Sequence, residues 1–319
     1  MKAVILAGGM GTRLRPLTYH MPKPLVPLVD RPMVMHIIGS LPEEVDTVIL
    51  AVSYMKDRLE EHFSKNDCGR KIILVNEDRP LGTGGALKNV ASYLDETFLA
   101  FNGDVVCSLD IREMLAWHRA KAGIGTISLW EVEDPTAFGV VGIGSGGRIT
   151  VFQEKPRREE AVSRNINAGA YVFEPEVLDH IGEGVVSLER DVFPGLLQKG
   201  LYGYRFSGHW VDCGTRENLL LAQRELLSKG LAAVHDCTFK GSVRMEGHNH
   251  LQGAAFEACT VGPDAVVRPG ALVMKGAFVA GSMVMEGAVI GEGAKVIGSI
   301  IGPDVKVPRC GEVISTILA

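Results

Sequence analysis

Three glycines, Gly8, Gly9 and Gly11, stand within four residues in LAGGMGTRLRPLTYHMPKP (6–24), and Arg13, Arg15 and Lys23 follow them. The first 29 residues carry four basic side chains and no acid, in a chain of formal charge -5. Glycines leave backbone N–H groups open to an anion, and guanidinium groups with no carboxylate close in sequence add fixed positive charge. The combination suits a polyphosphate. A plain glycine-rich turn with solvated arginines is the alternative reading of the glycines alone. The loop does not end in Gly-Lys-Ser/Thr, so it is not a Walker loop. Leu14 stands where a dinucleotide fingerprint has its third glycine.

The whole string closely resembles the N-terminal signature of the nucleoside-diphosphate-sugar pyrophosphorylases, the sugar-1-phosphate nucleotidyltransferases. The resemblance implies nucleotide contacts from Leu6, Ala7, Gly8, Gly9, Gly11 and Thr12, with Arg13 and Lys23 on the phosphates. Further motifs follow in the family's order. LGTGG (81–85) contributes Gly82, and Glu77 precedes it in the loop from which the family reads its base. Members that use uracil or thymine have a glutamine there, whose amide offers one donor and one acceptor. Guanine presents two adjacent donors, which a carboxylate accepts together, so Glu77 favours guanine. Asp78 is the other candidate for that role.

AFNGDVV (100–106) brings Asn102 to the nucleotide and places Asp104 just past a strand. On its own Asp104 reads equally as a turn residue; in the family the matching Asp binds a divalent ion. FGVV (138–141) supplies Gly139, against which the sugar ring lies. EKP (154–156) supplies Glu154 for sugar hydroxyls and Lys155 for the sugar phosphate, and NAGAYVF (167–173) adds Asn167 and Gly169. In HWVDCGT (209–215), Asp212 matches the second metal-binding Asp, and Trp210 packs behind the site. His209 reads as a strand residue and not as a base. The implied cofactor is Mg²⁺ at Asp104 and Asp212, and the implied catalytic cations are Arg13, Lys23 and Lys155.

These residues need a scaffold that brings strand ends to one rim. Apolar runs at Ala3–Leu6, Thr47–Val52, Ile72–Val75 and Phe98–Phe101 alternate with helical spacing near 33–41, 55–65 and 85–94. That alternation predicts a mostly parallel α/β sheet of Rossmann type, with ligands at the strands' carboxyl ends. Asp110 and Thr215 are candidate N-caps for helices over 111–121 and 216–229, and a further helix is expected over 187–198. Leu219, Leu220, Leu221, Leu226 and Leu227 are expected in the core.

The last eighty or so residues change period. Val261, Val267, Val273, Val279 and Met285 recur every six positions, and two five-residue steps carry the ladder on through Ile290, Val296, Ile301, Val307 and Val313. Hexapeptide repeats of this kind predict a parallel β-helix, and they resemble the left-handed β-helix attached to many of these pyrophosphorylases. The expected domains are a catalytic 1–230 and a β-helix 231–319. The β-helix should be neutral, with seven basic and seven acidic residues from Lys240 onward. Its open coil ends lead to the expectation of a homo-oligomer built partly through it.

Composition narrows the classes. With 319 residues, 46% hydrophobic and 22% charged, the chain suits about two globular domains. No apolar run reaches a membrane span, and the first apolar stretch is too short for a signal peptide. Six cysteines without a CxxC pair argue for a reduced, cytoplasmic protein. A mildly acidic chain argues against nucleic acid. The strings ILAVSYM, LGTGGAL and GDVVC place the resemblance nearest the mannose-1-phosphate guanylyltransferases, and GTP and a sugar 1-phosphate are the expected substrates. Glucose-1-phosphate uridylyl- or thymidylyltransfer on the same fold is the near alternative. A hexapeptide acyltransferase would need a histidine base, for which only His248 and His250 stand in the repeats. A non-catalytic nucleotide-sugar-binding homologue would have lost metal or phosphate residues, yet Arg13, Lys23, Asp104, Lys155 and Asp212 are all present.

Overall fold

A computed structural model describes all 319 residues. By packing, the chain forms two compact units: Met1–Met10 with Val34–Trp210, and Gly11–Met33 with Val211–Ala319.

The first unit is built on a nine-stranded sheet. Its strands are β1 (Lys2–Leu6), β2 (Thr47–Val52), β3 (Lys71–Asn76), β4 (Phe98–Asn102), β5 (Gly125–Glu131), β6 (Gly139–Ile143), β7 (Ile149–Glu154), β8 (Asn165–Phe173) and β9 (Leu201–Arg205). The main order is β7-β6-β8-β4-β1-β2-β3, with β5 and β9 continuing from β8. β4, β1, β2 and β3 run parallel, whereas β8 joins β4, β5 and β6 antiparallel. All six residues of β2 are buried. A strand covered on both faces reads as a continuous apolar run, here TVILAV, because helices lie on each side of a parallel sheet. Val48, Ile49 and Leu50 are fully buried, each contributing roughly 1.5–3 kcal/mol by leaving water.

The helices α1 (Met33–Ser40), α2 (Lys56–Lys65), α3 (Gly82–Asn89) and α4 (Ile111–Lys121) fall close to the expected spans. α4 is capped as expected: the Glu113 N–H donates to Asp110 Oδ1 at 3.0 Å. α3 starts three residues before the expected position and stops at Asn89. The expected helix over 187–198 is broken instead into a π turn (Leu188–Val192), a short α turn (Phe193–Leu196) and a 3₁₀ turn (Leu197–Lys199).

The second unit contains α5 (Arg216–Leu226) and the repeat coils. Thr215 caps α5 by accepting from the Asn218 N–H at 3.2 Å. Leu219 and Leu227 are buried, but Leu221 is exposed, and Ala222 and Gln223 are buried in its place. Three consecutive leucines on a helix cannot all face one core, because each residue is rotated by roughly 100° from the last. Gln223 Nε2 donates to the carbonyls of Asp264 (2.7 Å) and Ser282 (3.2 Å), fastening α5 to the coils.

The coils form a left-handed parallel β-helix of three sheets, one of six strands and two of five. Val267 pairs with Val284, and Val284 with Ile301. The first five-residue step therefore lies between Val279 and Val284, not after Met285; Val284 holds the ladder position and Met285 is the buried residue beside it. Either aliphatic satisfies the sequence period, and cross-strand register decides between them.

Candidate active site

Glu77, the residue expected to read the base, lies in the first unit. It follows β3, and its N–H donates to the Val52 carbonyl at 2.7 Å. The side chain is only 4% exposed. Oε2 accepts from the Leu81 N–H at 3.1 Å, while Oε1 is buried and has no partner. Burial pushes the carboxyl above its ordinary range, and the Leu81 N–H offsets this only in part. Gly8 lies directly beside it: a Cβ there would meet Oε1 at 3.0 Å and Oε2 at 3.3 Å. The Ser53 hydroxyl donates to the Gly8 carbonyl, and the Ala7 N–H to the Ala51 carbonyl at 2.9 Å, so β2 holds the loop's start. At Gly9 a Cβ would meet nothing within 4 Å.

The fold itself also requires a glycine at position 82. Its φ is +74°, and a Cβ there would stand 2.6 Å from the Val186 carbonyl. That carbonyl accepts from the N–H groups of Gly84 (2.9 Å) and Gly85 (3.1 Å). The glycines thus admit residues 184–188 against the start of α3, and a carbonyl satisfies the helix's amides.

The residues expected to take the sugar come together around β8. Leu6 and Asn102 are register partners at the ends of β1 and β4. Asn167 Nδ2 donates to Tyr171 Oη at 2.8 Å, Asn167 Oδ1 accepts from the Gly169 N–H at 3.1 Å, and Asn102 also hydrogen-bonds Tyr171. Gly169 has φ +78°, and a Cβ would stand 2.7 Å from Asn102 Nδ2. Only glycine allows that approach. Gly139 pairs with Glu154 across β6 and β7, and a Cβ on it would meet Phe152 at 2.7 Å and Glu154 Oε2 at 3.2 Å. Burial, then the nearby charge of Glu189, pushes Glu154 upward; Lys155 and Arg190 offset this in part. Lys155 Nζ lies 3.8 Å from Glu154 Oε1 on a largely exposed side chain, and its N–H donates to the Phe138 carbonyl at 3.0 Å. Trp210 packs edge-on to Phe138 (5.4 Å) and donates to the Ala168 carbonyl at 2.9 Å, bracing the segments that carry Gly139 and Asn167. Asp104 occupies the turn after β4, and the preceding Gly103 N–H donates to the Leu6 carbonyl at 3.0 Å.

In the second unit, Gly11 opens the basic segment at φ +61°. A Cβ on Gly11 would meet Thr18 Cγ2 at 3.0 Å and Lys23 Cβ at 3.2 Å, so Lys23 folds back toward the start of its own segment. The Thr18 hydroxyl fixes this by donating to the Gly11 carbonyl at 2.8 Å. Thr12 begins a 3₁₀ turn, Thr12–Leu14, whose middle residue is Arg13. Arg15 stacks over Tyr19 at 4.8 Å. Arg13 and Asp212 converge on Gly214: a Cβ there would collide with the guanidinium and stand 2.8 Å from Asp212 Oδ1. Oδ1 also accepts from the Gly214 N–H at 2.8 Å.

Residues 2–229 match the family model described as nucleotidyl transferase. The chain belongs to the nucleotidyltransferase family. A mannose-1-phosphate guanylyltransferase of Mycobacterium tuberculosis is 38% identical over 282 residues, 86% of this chain and 75% of that protein. The mannose-1-phosphate guanylyltransferase catalytic subunit beta of Xenopus tropicalis is 41% identical over 228 residues, 69% of this chain; the match spans 63% of that relative's length. Among solved structures, HddC from Yersinia pseudotuberculosis complexed with GMP-PN is 28% identical, with a TM-score of 0.59, over 69% of this chain and 97% of that one. On these likenesses the protein is a nucleotidyltransferase of the sugar-1-phosphate class.

Other features fall outside this site. His250 Nδ1 is bonded to the Leu231 carbonyl at 2.8 Å and the residue is buried, a structural placement. His209 sits just before the strand Trp210–Asp212, its N–H bonded to the Ser108 hydroxyl at 2.8 Å. All six cysteines are free thiols. No helix is long and apolar enough to cross a membrane. Tyr171 and Glu189 were not expected at the site: Tyr171 stands among apolar strand residues, and Glu189 is oriented by a hydroxyl from a distant part of the chain.

Proposed function

We propose that this protein transfers a guanylyl group from GTP to mannose 1-phosphate, giving GDP-mannose and pyrophosphate. The observation that carries the base choice is Glu77, a buried carboxylate with an unpartnered oxygen beside Gly8. Guanine offers two adjacent N–H donors, and an ionised carboxylate accepts both; a uracil or thymine edge would set its own carbonyl oxygen against it. The names of the relatives agree with both substrates.

An oxygen of the sugar phosphate attacks the α-phosphorus in line, and the bond to the pyrophosphate oxygen breaks. The protein must hold two mutually repelling anions together and neutralise charge in the transition state. Arg13 and the amides of Gly8, Gly9 and Gly11 hold the β- and γ-phosphates, and Lys23 lies toward the α-phosphate. Gly9 supports this reading, since the protein's own packing does not require a glycine there. Lys155 positions the sugar phosphate; Glu154, Asn167 and Gly169 take the sugar.

Asp104 and Asp212 are the residues that would hold a divalent ion, Mg²⁺. No group of three or more His, Cys, Asp or Glu side chains gathers in the chain, so phosphate oxygens would complete the shell. That fits Mg²⁺, which takes one or two carboxylates together with substrate phosphates. When bound, such an ion would supply charge neutralisation at the phosphates. A cytoplasmic homo-oligomer, associated partly through the β-helix, is part of the same proposal.

The test is pyrophosphate release from four nucleoside triphosphates against mannose, glucose and N-acetylglucosamine 1-phosphates with Mg²⁺. Preference for GTP with mannose 1-phosphate is expected. Preference for UTP or dTTP would overturn the reading of Glu77, and no turnover with any pair would overturn catalysis itself.

A further inference from the structure

Glu189 is a second carboxylate on the sugar side. It sits in the π turn Leu188–Val192, which packs against β7. Its Oε2 accepts from the Thr83 hydroxyl at 2.8 Å and the Ser187 hydroxyl at 2.7 Å. Thr83 is itself fixed, because its hydroxyl oxygen accepts from the Leu188 N–H at 2.9 Å. Phe193, next in the chain after this turn, packs on Tyr171 (5.7 Å between ring centroids) and Phe152 (5.1 Å). The turn therefore lies against the wall that carries Glu154 and the Asn102–Tyr171–Asn167 cluster. The Glu189 charge is felt there, pushing both Glu154 and Tyr171 upward.

Holding two like charges near each other, one of them half-buried, costs stability. A role limited to bonding Thr83 and Ser187 needs only a neutral acceptor, which glutamine would supply without the repulsion. Two oriented carboxylates instead make an acceptor-rich wall, and the matching ligand is a ring bearing several hydroxyl donors and no negative charge. We propose that Glu189 is a specificity residue that accepts sugar hydroxyls alongside Glu154, selecting neutral hexose 1-phosphates and rejecting uronic acid 1-phosphates. This rests on the sugar-side assignment under Proposed function.

The experiment compares wild type, Glu189→Gln and Glu189→Asp by calorimetric titration with mannose 1-phosphate and glucuronic acid 1-phosphate, alongside pyrophosphate release and melting temperature. Titration needs no turnover, so an inactive wild type that still binds mannose 1-phosphate defeats the catalytic reading while leaving Glu189 tested. The expected result is mannose 1-phosphate binding about tenfold weaker or more in both variants, since a hydrogen bond to a charged group is lost or misplaced. Discrimination against the uronic sugar should narrow in Glu189→Gln alone, with the KM for GTP within about twofold and the melting temperature nearly unchanged. The proposal is overturned by unaltered sugar affinity in both variants, by equal loss for both substrates with a lowered melting temperature, or by a wild type that binds no sugar 1-phosphate.

Discussion

Glu77 and Gly8 are in direct opposition: a Cβ on Gly8 would stand 3.0 Å from Oε1, the oxygen that has no partner. The carboxylate and the first glycine of the loop thus share one small space. A side chain at Gly8 would have to displace the group proposed to read the base. Gly9, its neighbour, has open space around it.

The two glycines should therefore fail in different ways. Gly8→Ala is expected to lower the melting temperature and to weaken GTP use, because Glu77 must move. Gly9→Ala should fold with an unchanged melting temperature yet lose about tenfold or more in kcat/KM for GTP, since its methyl group would meet only the phosphates. Thermal melts beside steady-state kinetics separate the cases. Equal stability loss in both variants would contradict the assignment.

Replacing Glu77 by Gln exchanges one acceptor for a donor. The expected fall in kcat/KM for GTP is about ten- to a hundredfold, the worth of one charge-assisted hydrogen bond. Relative use of UTP should rise in the same variant. Competition between the two nucleotides in one reaction reads this directly.

The same carboxyl predicts a pH dependence. Burial raises Glu77 above its ordinary value of 4.5, so the folded chain keeps a proton that the unfolded chain has released. More protons bound in the folded state means that stability falls as pH rises. The contribution is fully present below 4.5 and lost as pH climbs through the raised value. The wild type should thus lose stability relative to Glu77→Gln across that window. GTP use runs in the opposite sense, because only the ionised form accepts both guanine donors: it should decline at acid pH in the wild type and lack that limb in the variant.

Much of this was legible in local sequence. The Asp110 and Thr215 caps and the apolar run of β2 depend on neighbours within a few residues, and they are found where expected. What escaped depends on distant chain. Glu189 is oriented by Thr83, 106 residues away. The Val186 carbonyl that also requires a glycine at 82 comes from a distant part of the chain. Val284 and Met285 both fit the hexad, and only pairing with Val267 and Ile301 chooses between them. Leu221 failed as core because three consecutive leucines cannot all face inward on a helix.

For the aspartates, Asp104→Asn and Asp212→Asn keep shape and remove charge. Asn at 212 can still accept from the Gly214 N–H, so the turn beside Arg13 should persist. Each is expected to cost on the order of 10²–10³ in kcat, like other losses of transition-state charge stabilisation, with little change in melting temperature. Near-normal turnover in either at saturating Mg²⁺ would remove that residue from the metal site.

The β-helix is tied to the basic N-terminal segment through Arg268. Its Nη1 donates to the Val29 carbonyl at 3.0 Å, while Nε is held by Glu286 at 2.6 Å. Val29 is fully buried in a left-handed conformation, φ +59°, in the turn of the hairpin formed by Pro27–Leu28 and Arg31–Pro32. That hairpin follows Lys23 directly, so its anchorage limits how far the basic segment can move. Arg268→Ala leaves the Val29 carbonyl without this donor and Glu286 without its cation, and a melting temperature lower by a few degrees is expected. Loosening the segment should also raise the KM for GTP several-fold while leaving the KM for the sugar phosphate nearly unchanged. Arg268→Lys restores a charge but cannot span both partners with a fixed fork, so it should recover only part of the loss. A variant that melts earlier with both KM values unchanged would mean that the contact supports the coils alone.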